Sequence, residues 1–275
     1  MEEFPMTPIA NARMYAATPR IEATWETLLE HVAADAGVPL AYLRYPAPQP
    51  LEPLWRRADL GAVLMCGYPI ALGLADIRPI AAPVPAASWA GGAAIYRTEL
   101  VVRTDAPYER LEDTFGGRIG WTAAHSHSGF NAVRHHLLRH RTARRPHLYA
   151  QSVGDLVTPR RVLDAVLDGT IDIGPLDAYW HLLMRRHEPG LVSGIRVLDV
   201  TETAPMPAFV AAPALSSADR TKLAGAFADA AGRSWFPPIG EALAIEGFRT
   251  VGPADFQRTL AFDRAAVEAG YRVPA

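Results

Sequence analysis

The chain has 275 residues, of which 49% are apolar and 20% charged, and its formal net charge is only −2. This composition is typical of a soluble globular protein, and it excludes a disordered chain and a globally basic nucleic-acid-binding protein. The length suits one large α/β domain or two lobes of ordinary size.

Neither the N-terminal stretch nor the single cysteine of the sequence indicates a membrane or an oxidising compartment. The N-terminal stretch MEEFPMTPIANARMY opens acidic and has no apolar run, so we expect no secretory signal in the sequence as written. Every apolar run is interrupted before the roughly 18 residues that a membrane-spanning helix needs. Cys66 cannot close an intrachain disulfide, and with no histidine near it in sequence we expect a small buried residue and no nucleophile.

The first part of the chain alternates helical and strand-like patterns. Apolar residues recur at i, i+3, i+4 and i+7 over 20–36, which predicts a helix with one buried face. Short apolar runs at 40–45 and 61–66 predict strands, and the longest strand-like run covers 92–103.

The remainder continues the alternation and then becomes helical. Further predicted strands cover 118–121, 147–152, 170–174, 195–200 and 207–212. Helices are predicted from Gly129 to about His140 and over 159–168, and three more helical stretches without a strand follow residue 212.

The order of these elements predicts an α/β protein of two lobes, each a mostly parallel sheet flanked by helices. Helices without strands cannot build a sheet, so the C-terminal helices are assigned to the first lobe. The predicted lobes are 1–100 with 205–275, and an inserted lobe over 101–204. Two crossings, near 95–105 and 198–208, would form the hinge.

The stretch Trp121–Phe130, WTAAHSHSGF, leads directly into the helix that begins near Gly129. Ser128, or Ser126 upstream, is the candidate N-cap. A helix start has unpaired N–H groups and partial positive charge, so two hydroxyls and a glycine there favour a site for phosphate, phosphonate, sulfonate or carboxylate. The alternative is that Ser128 only caps its helix.

The surrounding sequence is basic. No Asp or Glu occurs from Thr114 to Gly154, a range that holds six arginines. The bias favours an anion, although a solvated helix face would also explain it. His125 with His127, and His136 with His140, have metal-like spacing, but no carboxylate or thiolate lies nearby in sequence, so no metal site and no cofactor are predicted.

Several short features, taken in order, resemble a known family. They are Cys66-Gly67, Ile95–Val102, Leu111-Glu112-Asp113 before Gly116–Arg118, Ser126-x-Ser128-Gly129, and Asp168–Asp177. Their order and spacing resemble the substrate-binding proteins of phosphate, phosphite and phosphonate ABC importers, in the type II periplasmic-binding-protein superfamily. The resemblance covers nearly the whole chain and implies two lobes that close on a small oxyanion.

The resemblance also implies ligand-binding residues in the second lobe. The helix start of the family receives phosphonate or phosphate oxygens, which assigns that role to Ser126, Ser128 and the Gly129 amide, with His127 between them. An acidic residue near Asp177 faces the ligand in the family, where it could accept from a protonated oxygen or an amine. The alternative for Asp177 is a carboxylate that starts the following helix.

Aromatic residues at predicted strand ends complete the candidate site. Tyr15 and Tyr68 lie at strand-to-helix junctions of the first lobe, where they would face the cleft, and Tyr96 lies on the crossing strand. Each supplies a hydroxyl and a flat apolar wall, although core packing would explain each one alone. Gly67 precedes Tyr68, and Cys66 is expected to be buried beside the pocket.

Three function classes remain open at this point. The first is a non-enzymatic, monomeric binding protein for a small anionic ligand, which the resemblance would pair with ABC-transporter membrane subunits and which has no nucleic-acid partner. The second is a cytosolic enzyme of the same fold that acts on a chorismate-derived carboxylate, with Asp177, His125 and His127 as candidate acids or bases. The third is a ligand sensor that contacts a signalling protein through an exposed apolar patch.

The sequence departs from the family pattern at one place. Many family members carry a serine-histidine phrase before the 159–168 helix, whereas Ser152–Pro159 contains no histidine.

Overall fold

The computed structural model describes residues 7–275. The first six residues, which belong to the N-terminal stretch predicted to carry no secretory signal, lie outside the described residues. Within residues 7–275, no helix combines the length and the apolar character needed to cross a membrane.

The strands are short, and several match the predicted runs. In chain order they are β1 (Ile9–Asn11), β2 (Ala41–Tyr42), β3 (Leu60–Met65), β4 (Arg78–Pro85), β5 (Ile95–Tyr96), β6 (Thr98–Arg103), β7 (Arg118–Gly120), β8 (Gln151–Val153), β9 (Gly174–Asp177), β10 (Ile195–Val200), β11 (Ala204–Pro205), β12 (Ala208–Ala211) and β13 (Ile245–Thr250).

The helices connect these strands. They are α1 (Pro19–Ala36), α2 (Leu51–Trp55), α3 (Gly67–Leu72), α4 (Ala132–Leu137), α5 (Pro159–Leu167), α6 (Ala178–His187), α7 (Pro189–Val192), α8 (Ser217–Asp229), α9 (Phe236–Leu243) and α10 (Gln257–Glu268). Helix α1 agrees with its prediction because both of its ends are encoded locally. Thr18 accepts a hydrogen bond from the Ile21 N–H at 3.2 Å, and Gly37 ends the helix at a φ of 61°.

The described chain divides into two compact units. The first unit extends to Ile95 and includes Pro205–Phe256, and the second comprises Tyr96–Ala204 and Gln257–Ala275. The chain therefore passes between the units at 95/96, 204/205 and 256/257. The first two passages lie within the predicted crossings, and the third was not predicted.

The last 19 residues differ most from the predicted division, which assigned them to the first lobe. Helix α10 belongs to the second unit because it packs on α4. Asn131 donates from Nδ2 to the Thr259 carbonyl at 2.8 Å, and Arg134 pairs with Asp263 at 2.5 Å. These contacts join residues more than 120 positions apart, and local sequence patterns do not reveal such pairs.

The first unit is built on one six-stranded sheet in the order β13-β4-β12-β3-β1-β2. Strands β1, β2 and β3 are parallel, whereas β12 runs antiparallel between β3 and β4. Trp25, Phe209, Phe227 and Phe248 form an aromatic cluster in the core of this unit.

Strand β13 corrects the prediction that no strand follows residue 212. It pairs antiparallel with β4, and Glu246 and Arg249 are exposed while Phe248 is buried. Its apolar pattern is weak because charged residues interrupt it. Its backbone is also irregular, since Gly247 adopts a φ of 152°. The strand is therefore specified by its partner more than by its own sequence.

The second unit contains both strand directions. Strands β7 and β8 are parallel, and Ile119 of β7 bridges in parallel to Ile173, just before β9. These strands are linked through α4 and α5, as in the predicted βαβ pattern. However, β10, β6 and β9 pair antiparallel, so the sheet is less uniformly parallel than predicted. Strand β6 follows the passage at 95/96 and runs antiparallel to β9.

Candidate ligand-binding site

The predicted helix start is present in the second unit and begins two residues earlier than expected. A wide, π-helical turn over His127–Asn131 leads into α4, and a 3-10 turn ends the helical segment at His140. Ser126 is the N-cap, because its Oγ accepts from the Gly129 N–H at 3.0 Å and its carbonyl accepts from the Asn131 N–H at 3.0 Å. Of the two predicted capping residues, the structure therefore selects Ser126.

Ser128 is released from capping and meets a carboxylate instead. Its Oγ lies 3.4 Å from Asp177 Oδ2, which is long for an O–H···O hydrogen bond and therefore weak. Its carbonyl accepts from Thr98 Oγ1 at 2.9 Å. The Ser128 N–H lies at the second helical position. No helical carbonyl precedes it at the distance along the chain needed to accept its hydrogen bond, as is usual for the first N–H groups of a helix.

Asp177 starts the next helix, as the alternative interpretation of this residue predicted. It is the last residue of β9 and only 5% exposed. Its Oδ1 accepts from the N–H groups of Tyr179 and Trp180 at 2.9 and 3.0 Å, which fixes the carboxylate as the N-cap of α6. Its other oxygen lies beside Ser128, so the cap and the ligand interpretations involve different atoms of one carboxylate.

Gly129 permits a close approach of the helix to Thr122. A Cβ added at Gly129 would lie 1.9 Å from Thr122 Oγ1 and 2.8 Å from Thr122 Cβ, far inside normal contact. The Thr122 N–H donates to the Gly129 carbonyl at 3.2 Å. The Gly129 N–H, predicted as a ligand donor, is engaged by Ser126, so the glycine serves the packing of the helix start first.

His127, a predicted ligand residue, has its ring inside the second unit. The residue is 2% exposed, and its Nδ1 lies 3.3 Å from Asn131 Nδ2. The rings of Tyr96 and Phe262 lie 6.1 and 5.5 Å from the imidazole, centroid to centroid. Burial, with smaller effects of His135 and Arg258, lowers the pKa of His127 to about 3. The ring is therefore neutral near pH 7 and belongs to the core.

This environment predicts acid sensitivity of the fold. The folded pKa of His127 lies below its unfolded value of about 6.5, so between pH 6.5 and 3 the unfolded chain binds a proton that the folded chain excludes. We expect the free energy of unfolding to fall by up to about 1.4 kcal/mol per pH unit from this group as pH drops through that range. Urea denaturation at several pH values gives the free energy of unfolding as a function of pH. The slope of this free energy against pH should be shallower for His127→Gln than for the wild type.

The matched control for this measurement is His147→Gln, which makes the same replacement at an exposed histidine. Ligand affinity gives the opposing test. If affinity for an anion rose on acidification and His127→Gln removed the rise, the imidazole would be a charged ligand contact and the buried assignment would be wrong.

Two other histidines of the segment, His136 and His140, are paired with carboxylates that are distant in sequence. His136 Nε2 lies 2.8 Å from Asp199 Oδ2, and His140 Nδ1 lies 3.3 Å from Glu112 Oε1. In residues 7–275 no group of three or more His, Cys, Asp or Glu side chains is arranged to hold a metal ion.

The basic segment is likewise balanced by acids from elsewhere in the second unit. Arg118 pairs with Asp172 at 2.8 Å, and Arg139 pairs with Asp199 at 3.0 Å. With the pair of Arg134 and Asp263, three of the six arginines have acidic partners, so the fold neutralises part of the positive bias seen in the sequence. The helix start itself carries more of the case for an anion than the arginines do.

The predicted residues of the first unit lie at one edge of its sheet. Strands β1 and β3 are parallel neighbours with Asn11 opposite Val63, and Tyr15 and Cys66-Gly67-Tyr68 follow their carboxyl ends. These positions are buried: Tyr15 is 1% exposed, Cys66 4% and Tyr68 5%. Gly67 begins α3, where an added Cβ would lie 2.7 Å from the ring of Phe256.

Thr98 and Thr122 were not identified from the sequence. Thr98 lies opposite Asp177 in the β6–β9 ladder and donates to the Ser128 carbonyl, so it links the two candidate ligand residues. Its only sequence signal is a hydroxyl in an apolar strand, which is weak. Tyr96, predicted to face the ligand, is 1% exposed with its ring toward His127.

The fold and these positions can be compared with known proteins. Residues 15–256 match the family described as "ABC transporter, phosphonate, periplasmic substrate-binding protein". The chain belongs to this family. A sequence comparison with curated proteins finds no significant match.

Solved structures share the fold of this family member. The binding protein component of an ABC phosphonate transporter from Pseudomonas aeruginosa is 14% identical, with a TM-score of 0.79 over 96% of this chain and 88% of that chain. PhnD1 from Prochlorococcus marinus, in complex with methylphosphonate, is 12% identical, with a TM-score of 0.77 over 95% and 98%. The aliphatic sulphonate binding protein SsuA from Escherichia coli is 14% identical, with a TM-score of 0.53 over 96% and 76%.

These results confirm the predicted fold class, a type II periplasmic-binding-protein-like fold, and the predicted family. The family consists of substrate-binding proteins of ABC transporters, so the function is solute binding and the enzyme alternative receives no support.

Proposed function

We propose that this family member binds a small phosphonate-like or phosphate-like oxyanion at the helix start of its second unit. The supporting observation is the arrangement of Ser126, Ser128 and Asp177 at one edge of that unit. The Ser128 N–H and hydroxyl, together with the partial positive charge of the helix start, provide what an oxyanion requires. The hydroxyl of Ser126 remains able to donate while its oxygen accepts the capping bond.

Asp177 makes the protonation state of the ligand important. A carboxylate beside an anion is repulsive unless one ligand oxygen carries a proton that the carboxylate accepts. Phosphonates and phosphate carry such a proton near neutral pH, whereas sulfonates do not. Asp177 beside Ser128 therefore supports a phosphorus oxyanion over a sulfonate, and an amine on the ligand could also meet this carboxylate.

The first unit would contribute the aromatic wall. Tyr15 and Tyr68 follow the ends of parallel neighbouring strands, which is where open α/β sheets bind ligands. We propose that these two tyrosines, with Cys66 and Gly67, are the ligand-binding residues of the first unit. Tyr96 would support the site by packing against the ring of His127.

The partners follow from the family. A small ligand and the membrane subunits of an ABC transporter are what the family implies. That the chain acts as a monomer, without a cofactor and without a nucleic-acid partner, remains part of the proposal.

Two serine variants distinguish a serine that only binds the ligand from one that also caps the helix. Ser128→Ala should weaken methylphosphonate binding by about 1–3 kcal/mol, because a hydrogen bond to a charged oxygen is lost, with little change in Tm. Ser126→Ala should lower the free energy of unfolding by about 1 kcal/mol, because it removes the cap. Calorimetric titration and urea denaturation of both variants measure the two effects. Unchanged titration of Ser128→Ala would remove this hydroxyl from the site.

Asp177→Asn tests the charge alone, because asparagine is also a good N-cap and should preserve α6. We expect the variant to bind methylphosphonate about 10-fold more weakly and to accept an alkylsulfonate better than the wild type, since the repulsive carboxylate is gone. Asp177→Ala is the control, because it also loses the cap and should lose about 1 kcal/mol of stability. An unchanged ratio of the two affinities in Asp177→Asn would contradict the proposal.

A further inference from the structure

A strained loop follows β8 in the second unit. Val157 adopts a φ of 66°, in the left-handed region that β-branched residues almost never occupy. Glycine or asparagine would adopt this conformation with less strain. Because such strain persists only where the surrounding structure imposes it, the valine needs an explanation beyond the path of the loop.

Backbone hydrogen bonds hold the loop in this shape. The Thr158 N–H donates to the Leu156 carbonyl at 2.7 Å, which closes a tight three-residue turn around Val157. The Leu156 N–H donates to the Trp121 carbonyl at 3.2 Å, and the Val157 N–H donates to the Thr122 carbonyl at 3.0 Å. The strained conformation is therefore fixed from both sides.

The neighbours of Val157 have structural roles that the valine lacks. Leu156 would lie 3.1 Å from a Cβ added at Gly120, so its side chain packs on β7. Thr158 is buried and caps α5 by accepting from the Arg161 N–H at 3.2 Å. Val157, between them, is 38% exposed. Its side chain contributes little to the core of the unit.

Thr122 joins this loop to the helix start. Its carbonyl accepts from Val157, and its N–H donates to the Gly129 carbonyl at 3.2 Å. Strands β7 and β8 are parallel neighbours, so the loops after Gly120 and Val153 lie at the same edge of the sheet. The exposed valine is therefore held at the edge that carries Ser126–Gly129.

We infer that Val157 is a specificity-determining residue, whose isopropyl group contacts the organic substituent of the oxyanion bound at the helix start. This inference rests on the function proposed above and narrows its substrate class to alkylphosphonates. An apolar group at this edge gains nothing from inorganic phosphate, which has only oxygens to present. It does gain from an alkyl carbon, because burying apolar surface is favourable.

The test is the ratio of two affinities, measured by calorimetric titration of the whole chain with ethylphosphonate and with inorganic phosphate. Val157→Gly and Val157→Asn both tolerate the backbone conformation, and both should weaken ethylphosphonate binding about 3- to 10-fold while changing phosphate binding less than 2-fold. Relief of strain should leave the Tm of either variant unchanged or raise it by about 2 °C. The control is Val273→Gly, which removes a 42%-exposed valine elsewhere and should change neither affinity.

The possible outcomes distinguish a failure of this inference from a failure of the proposed function. If the wild type binds ethylphosphonate and the Val157 variants keep the wild-type ratio, the inference is overturned and the proposed function stands. If both affinities fall together in the variants, Val157 only shapes the loop, which also overturns it. If the wild type binds neither ligand, the proposed function fails and the inference fails with it.

Discussion

Replacing Gly129 with alanine is expected to lower the free energy of unfolding by about 3 kcal/mol or more and to abolish binding of methylphosphonate. The new methyl group would lie 1.9 Å from Thr122 Oγ1, and no rotation of Thr122 relieves the 2.8 Å approach to its Cβ. Either the helix start or the Thr122 loop must then move. Both carry groups of the proposed site, so stability and binding should fail together. Urea denaturation and calorimetric titration measure the two losses.

A matched glycine shows that the effect is local. Gly225 lies within α8 with no atom within 4 Å of an added Cβ, so Gly225→Ala should stabilise the protein by about 0.5–1 kcal/mol. Adding Thr122→Ala to Gly129→Ala removes two of the three closest atoms and should recover part of the stability. A Gly129→Ala protein as stable as the wild type, with normal binding, would show that this packing does not hold the helix start.

Replacing Arg134 with alanine is expected to cost about 3 kcal/mol, because it removes a buried guanidinium from its pair with the partly exposed Asp263 and leaves its other polar partners without a donor. The residue is 4% exposed. Its guanidinium lies 2.5 Å from Asp263 Oδ1, donates to Asn131 Oδ1 and to the Arg272 carbonyl at 3.2 Å each, and covers the ring of Phe130 at 4.4 Å. Four partners on three segments depend on this one side chain.

Arg134→Lys should recover little of this loss, because an ammonium group cannot reproduce the planar, forked donor geometry. Arg160→Ala is the control, since Arg160 pairs with Asp164 on the surface and its loss should cost about 0.5 kcal/mol or less. Urea denaturation of the three variants gives the comparison. An Arg134→Ala protein no less stable than Arg160→Ala would mean that α10 is not tied to α4 through this group.

The elements that the sequence predicted well have local determinants. Helix α1 has its own cap, apolar stripe and terminal glycine, and β10, with the β-branched residues Ile195, Val197 and Val200, matches its predicted bounds of 195–200. Strand β13 and the placement of α10 escaped prediction because each is specified by a partner far along the chain. Local pattern carries no information about such pairs.

The candidate site divides in the same way. Ser126, Ser128 and Asp177 stand at element boundaries, and their types indicate caps and anion contacts without knowledge of the fold. Thr98 and Thr122 became visible only from their hydrogen bonds to Ser128 and Gly129. His127 was predicted as a ligand residue because it lies between two such serines, whereas the wide turn directs its ring into the core.

The central claim is that oxyanion oxygens meet the helix start of the second unit, and a crystal structure of the protein with methylphosphonate tests it most directly. We expect phosphonate oxygens within about 3 Å of Ser128 Oγ and the Ser128 N–H, with one oxygen facing Asp177. A bound phosphonate whose oxygens contact neither Ser126 nor Ser128 would contradict the account, however tightly the ligand binds.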